Sequence, residues 1–182
     1  MKVVHFVLSE DFAGIEQHVD ELLTYNSEIE PLLICNESIS DNFNKKINVY
    51  KTKNIGRRSF FGKNKLKKLL SDIRPDIVHT HGSKTTTIIS SINKGNYKHI
   101  ASVHGVKNNK KMYEKSNFVI GVSKKAINGI NNASKVITNW WHPELTKLSI
   151  SNNKYALAIG RLEKVKGYDN LIRSGAIDMV VI

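Results

Sequence analysis

The sequence predicts a doubly wound α/β fold built on a parallel sheet, followed by the beginning of a second unit of the same kind. Two observations carry this. Short apolar runs alternate with amphipathic stretches from residue 1 to about residue 139, which is the pattern of strands joined by crossover helices. A stretch rich in Ser and Asn then intervenes, and a fresh apolar run opens at Tyr155. The expected organisation is a first domain over residues 1–147, a linker over 148–153 and the start of a second domain over 154–182. A chain of 182 residues with 40% hydrophobic content has room for one good core and little more.

Residues 3–8 read as a buried first strand, and Gly14 sits at the turn into a helix on which Ile15, Val19, Leu22 and Leu23 recur at helical spacing. Ile29, Leu32, Leu33 and Ile34 mark a second strand, with Cys35 as a buried strand residue, and Ile47, Val49 and Tyr50 mark a third. A single cysteine makes an internal disulfide impossible and fits a reducing cytosol. The first apolar run is too short for a signal peptide and meets Glu10 and Asp11 at once, and no run approaches the length of a spanning helix.

The formal charge of +12 implies anionic company: nucleic acid, phosphorylated substrates or an acidic membrane surface. Residues 45–68 hold most of it and contain no acidic residue. Arg57 and Arg58 precede Phe60 and Phe61, Lys67 and Lys68 follow, and Leu66, Leu69, Leu70 and Ile73 form the apolar stripe of a helix. The stripe belongs in the core. The cations, with two aromatic residues among them, favour a lipid surface over a merely solvated helix, and no recognised nucleic-acid motif accompanies them.

Pro75 ends that helix, and residues 77–82 form a strand that finishes on His79, Thr80 and His81. Ligands of open α/β sheets gather outside the carboxyl ends of strands. His79 and His81 share a strand face, as a metal pair would, but the sequence offers no evident third ligand. Residues 82–85 lack the upstream glycine of a P-loop and read as a helix start. Residues 99–103 deliver His104 to the same edge, and residues 117–122 form a further strand with Ser123 as N-cap of the next helix.

The run at 155–159 ends on Gly160, where the absence of a Cβ would let a phosphate approach the backbone. Arg161 offers a planar fork of donors, Lys166 a point charge, and Gly167 releases the chain into a helix. Free N–H groups and the macrodipole of a helix N-terminus attract anions, so this segment reads as a diphosphate clamp. An ordinary solvated βα loop fits the same pattern.

These motifs resemble the retaining glycosyltransferases of family 4, the glycosyl transferases group 1, which have a GT-B fold. Gly160-Arg161-Leu162 with Lys166-Gly167 matches the family's donor loop at its spacing, although Val165 stands where the family usually has Glu. Ala13-Gly14-Ile15-Glu16 resembles the Gly-Gly-x-Glu turn with one glycine kept, residues 75–81 resemble Pro-Asp-x-Val-His-x-His, and Ser102-Val103-His104-Gly105 resembles Thr-x-His-Gly. Gly121-Val122-Ser123 is similar to Ala-Val-Ser. Asn139 matches the Asn of Val-Ile-Pro-Asn-Gly, while Thr138 and Trp140 depart from it.

The resemblance implies that Gly14, Gly160, Arg161 and Lys166 hold the donor diphosphate, that His104 lies beside the donor sugar as the catalytic-centre histidine, and that Glu16, His79, His81 and Asn139 belong to the site. It implies transfer, with retention, from a nucleotide-sugar to a glycan or lipid-linked acceptor in cell-surface polysaccharide synthesis. No cofactor and no metal are expected, and the expected location is cytoplasmic, peripheral at the inner face of the membrane. The family's second domain is much longer than residues 154–182, so the sequence reads as an incomplete enzyme, inactive alone or completed by a partner chain. A non-catalytic subunit and a basic nucleic-acid binder are the other classes the sequence admits.

Overall fold

A computed structural model describes residues 1–25, 28, 30–92, 95–139, 155–160, 163–174 and 178–181. The chain divides into two compact units, Met1–Trp140 and Trp141–Ile182. The strands of the first unit are β1 (Val3–Phe6), β2 (Leu32–Asn36), β3 (Asn48–Thr52), β4 (Ile77–His81), β5 (Lys98–Val103), β6 (Phe118–Gly121) and β7 (Ser134–Val136). They form one sheet, in the order β3-β2-β1-β4-β5-β6-β7, and every neighbouring pair is parallel. This is the doubly wound α/β class the sequence predicts.

Strand order reverses direction between β1 and β4. A crevice opens at such a switch point beyond the carboxyl ends of the strands, and it is the general ligand site of these sheets. The helices are α1 (Gly14–Tyr25), α2 (Phe60–Ile73), α3 (Ser83–Ser91) and the single turn α4 (Lys124–Ile127). Side chains alternate across each strand. Val4 and Phe6 join Leu32, Ile34 and Val78 in a core with Leu66 and Leu70 of α2 and Ile88 and Ile89 of α3. On the other face, Leu33 and Cys35 meet Val19 and Leu23 of α1. His5 lies between Val4 and Phe6 and therefore turns to this second face.

Local chemistry fixes the helix ends. Ser59 caps α2 by accepting a hydrogen bond from the Gly62 N–H at 3.2 Å. The helix stops where Arg74 takes a left-handed conformation, φ 52°, and donates its N–H to the Leu70 carbonyl, with Pro75 following. Ser123 caps α4 by accepting from the Ala126 N–H at 3.2 Å, as expected. Among the described residues, elements beyond the sequence reading include 3₁₀ turns over Glu37–Asn42, entered through Asn36, and over Lys111–Lys115, and the short edge strand β7.

In the second unit, β8 (Tyr155–Ala158) pairs in parallel with β9 (Asp178–Val181), and α5 (Tyr168–Arg173) lies between them in sequence. A 3₁₀ turn at Lys164–Lys166 precedes α5. The expected linker at 148–153 lies outside the described residues. Among the described residues no helix is long and apolar enough to cross a membrane.

Candidate functional site at the carboxyl edge of the sheet

The loop after β1 builds the first wall of the site. Glu16, on the first turn of α1, is buried, and its carboxylate accepts from the Ala13 N–H at 3.1 Å and from Ser9 Oγ at 2.5 Å. A glutamate at the third helical position reaching back to the N-cap N–H is one half of a capping box. Both carboxylate oxygens are thereby spent on holding the loop 9–13 against the helix. Glu16 is a positioning residue for its neighbours.

Beside this loop lies a cleft of about 480 Å³ lined by Ser9, Asp11, Gly14, Glu16, His104 and Asn139, among others. Four residues singled out in the sequence, Gly14, Glu16, His104 and Asn139, from three separate stretches of the chain, meet here. Gly14 is not among the residues with positive φ, and a Cβ built on it would meet nothing within 4 Å. Neither backbone conformation nor packing requires glycine at this position. What its missing side chain leaves is open cleft.

A second cavity, of about 260 Å³, shares His104 and adds His81, Lys84, Gly105 and Lys107. The histidines form a connected cluster. His5 Nδ1 lies 3.0 Å from His81 Nε2, and His81 Nδ1 lies 3.0 Å from His104 Nε2. His79 Nε2 lies 2.8 Å from Ser102 Oγ. His18, on α1, sets its ring edge-on to His104 with centroids 5.0 Å apart. Each contact between two imidazoles takes one proton, so the tautomers along His5, His81 and His104 are set together.

Burial decides the charge of this cluster. His5 and His104 are each held down to about 4, by desolvation first and the nearby His18 second. Burial also lowers His18, against the opposing pull of Glu21. His79 and His81 lie well below the ordinary histidine range, again through burial first and then through their imidazole neighbours. At neutral pH the cluster is a set of uncharged donors and acceptors.

The sequence lacked a third partner for His79 and His81, and the fold supplies one. His5 is the register partner of His79 across β1 and β4, and His81 follows two residues on along the same face. His5, His79 and His81 are all buried, each with a ring nitrogen within 4.8 Å of those of the other two. Sequence reasoning also missed His18, Ser9 and Ser102. A histidine inside the otherwise apolar run 3–8 was the available signal for His5; the serines carry none.

The remaining predicted residues stand elsewhere. Arg161 lies outside the described residues. Lys166 is exposed at the end of its 3₁₀ turn, and Gly167, φ 71°, leads into α5. A Cβ on Gly160 would come within 2.6 Å of Tyr168 Oη, the outer tip of a half-exposed side chain that can move aside. Arg57, Arg58, Phe60, Phe61, Lys67 and Lys68 are all exposed, with Phe60 at 70% and Phe61 at 80%. Phe60 and Lys67, and Phe61 and Lys68, lie seven residues apart, which places each pair on one face of α2.

A family model described as Glycosyltransferase Family 4 matches residues 12–140. Among solved structures, the chain is similar to the crystal structure of a glycosyltransferase from Rickettsia africae ESF-5, with a TM-score of 0.68 and 16% identity. The match covers 98% of this chain and 59% of that one, and at this identity the likeness is one of fold. The chain thus spans about 59% of the length of that solved relative. No curated protein matches.

Proposed function

The chain belongs to Glycosyltransferase Family 4, and from that premise we propose that it acts in moving a sugar, with retention, from a nucleotide diphosphate donor to a glycan or lipid-linked acceptor. The observation that carries this reading is the cleft at the sheet's carboxyl edge, where Gly14, His104 and Asn139 converge around a loop pinned by Glu16. The cleft is open, lined by polar and apolar groups alike and set beside the switch point.

In this reading His104 orients the donor sugar. Its Nε2 is engaged with His81, so Nδ1 is the nitrogen that meets a sugar hydroxyl. Burial keeps the ring neutral, so it serves through directed hydrogen bonding and not through charge. Gly14 lets the donor approach the start of α1. Breaking the bond to the leaving diphosphate gathers negative charge in the transition state, and in the second unit Arg161 and Lys166 meet that charge in place of a metal ion. The setting we infer is cell-surface polysaccharide synthesis at the cytoplasmic face of the membrane. There the exposed cations and phenylalanines around the start of α2 would bring the protein to its acceptor.

The test is calorimetric titration of a nucleoside diphosphate into the wild type and into Arg161→Ala and Lys166→Ala. Each substitution removes a charge-assisted contact and is expected to weaken binding by about 1.5–3 kcal/mol. Unchanged affinity in both variants would remove the diphosphate clamp.

A further inference from the structure

We propose that His5, His79 and His81 form a binding site for a late first-row divalent ion of the zinc class. The strand register brings them together: His5 stands opposite His79 across the β1–β4 pair, and His81 is the next residue on the same face of β4. Each offers a nitrogen within 4.8 Å of the nitrogens of the other two.

The outer contacts settle which nitrogens face the ion. His79 spends Nε2 on Ser102 Oγ at 2.8 Å, which leaves its Nδ1. His81 spends Nδ1 on His104 Nε2 at 3.0 Å, which leaves its Nε2, and that atom already faces His5 Nδ1 at 3.0 Å. Metal-bound histidines regularly give their other ring N–H to a fixed acceptor, and here Ser102 and His104 take that part for His79 and His81. Among the described residues no carboxylate is a hydrogen-bond partner of the three rings.

Three imidazoles and no oxygen anion suit zinc, copper, nickel or cobalt and not magnesium, so this site is separate from the leaving-group chemistry. Zn–N bonds of about 2.0–2.1 Å in tetrahedral geometry put the nitrogens roughly 3.3 Å apart, so the three rings, whose nitrogens lie within 4.8 Å of one another, have to close in on the ion. Water would take the fourth position, with access through the cavity lined by His81. Binding needs no net loss of protons. Where His5 carries its proton on Nδ1 in the metal-free state, it exchanges it through water for one on Nε2. His81 keeps the Nδ1 proton that it donates to His104.

The probe is Co²⁺ alone, titrated into tag-free 182-residue chain stripped with a chelator, and followed by its visible absorption. One saturable equivalent with an intense tetrahedral-type band, displaced by Zn²⁺, is expected. His5→Gln and His79→Gln should abolish the band. Ser102→Ala should keep the one-to-one stoichiometry while lowering affinity roughly 10–100-fold, because it removes only an outer contact. A wild-type chain that shows no saturable Co²⁺ band overturns the proposal without recourse to any variant. A band that survives His79→Gln in a chain with wild-type far-ultraviolet dichroism places the ion elsewhere and overturns it too.

Discussion

Gly14→Ala separates a ligand role from a structural one. Gly14 is the first residue of α1, it lies outside the positive-φ region, and an added Cβ meets no atom within 4 Å. Alanine at such a position restricts the unfolded chain without straining the folded one, which stabilises by about 0.4–1 kcal/mol. For a chain of this size the melting temperature should rise by about 1–4 °C. The same methyl group takes space in the cleft shared with His104 and Asn139. If the donor diphosphate approaches the backbone there, the substitution forces it back and weakens a charge-assisted contact of about 1.5–3 kcal/mol, or roughly 10–150-fold in affinity. Thermal melting and calorimetry with a nucleoside diphosphate read the two effects independently. A lower melting temperature would show that the turn needs glycine after all. A higher melting temperature with unchanged affinity would show that nothing approaches Gly14, and the cleft would lose its assigned occupant.

Two further outcomes follow from the geometry. The metal-free chain should lose stability on acidification between about pH 6.5 and about pH 4. Across that window the unfolded histidines bind protons that folded His5 and His104, held down to about 4, do not; their contribution to stability is therefore full above the upper limit and lost by the lower one, and a flat melting temperature across it would contradict the neutral cluster. Sedimentation with vesicles should show binding to anionic lipid that falls when Arg57, Arg58, Lys67 and Lys68 become Gln, by up to about 4 kcal/mol at low salt, whereas equal binding to neutral vesicles would remove the membrane role of this surface.

The parts of the fold that sequence reading reached are those written in local periodicity. Of the expected stripe, Leu66, Leu70 and Ile73 are buried and Leu69 is partly buried against the same core, and the strand expected at 77–82 is observed at Ile77–His81. Such signals arise within one element. The site is different, because its members meet only through strand register. His5 and His79 are more than seventy residues apart, and nothing in either run specifies that β1 pairs with β4.

Resemblance named positions, and the structure adds the local contacts that those positions make. Glu16 does line the cleft, yet both its oxygens are occupied within the loop. Gly160 fits the donor-loop pattern, and its nearest neighbour on the Cβ side is the movable tip of Tyr168. A physical signal for the cluster was nevertheless present in the first strand. An imidazole among residues as apolar as Val4, Phe6 and Val7 must be buried, and a buried polar ring without partners is costly, so neighbouring strands have to provide them. His79 and His81, at alternate positions of the next strand to end in polar groups, were the candidates best placed to do so. That inference reaches His5 from the desolvation of one side chain, without any matching motif, and it selects the switch point of the sheet as the place where the histidines meet.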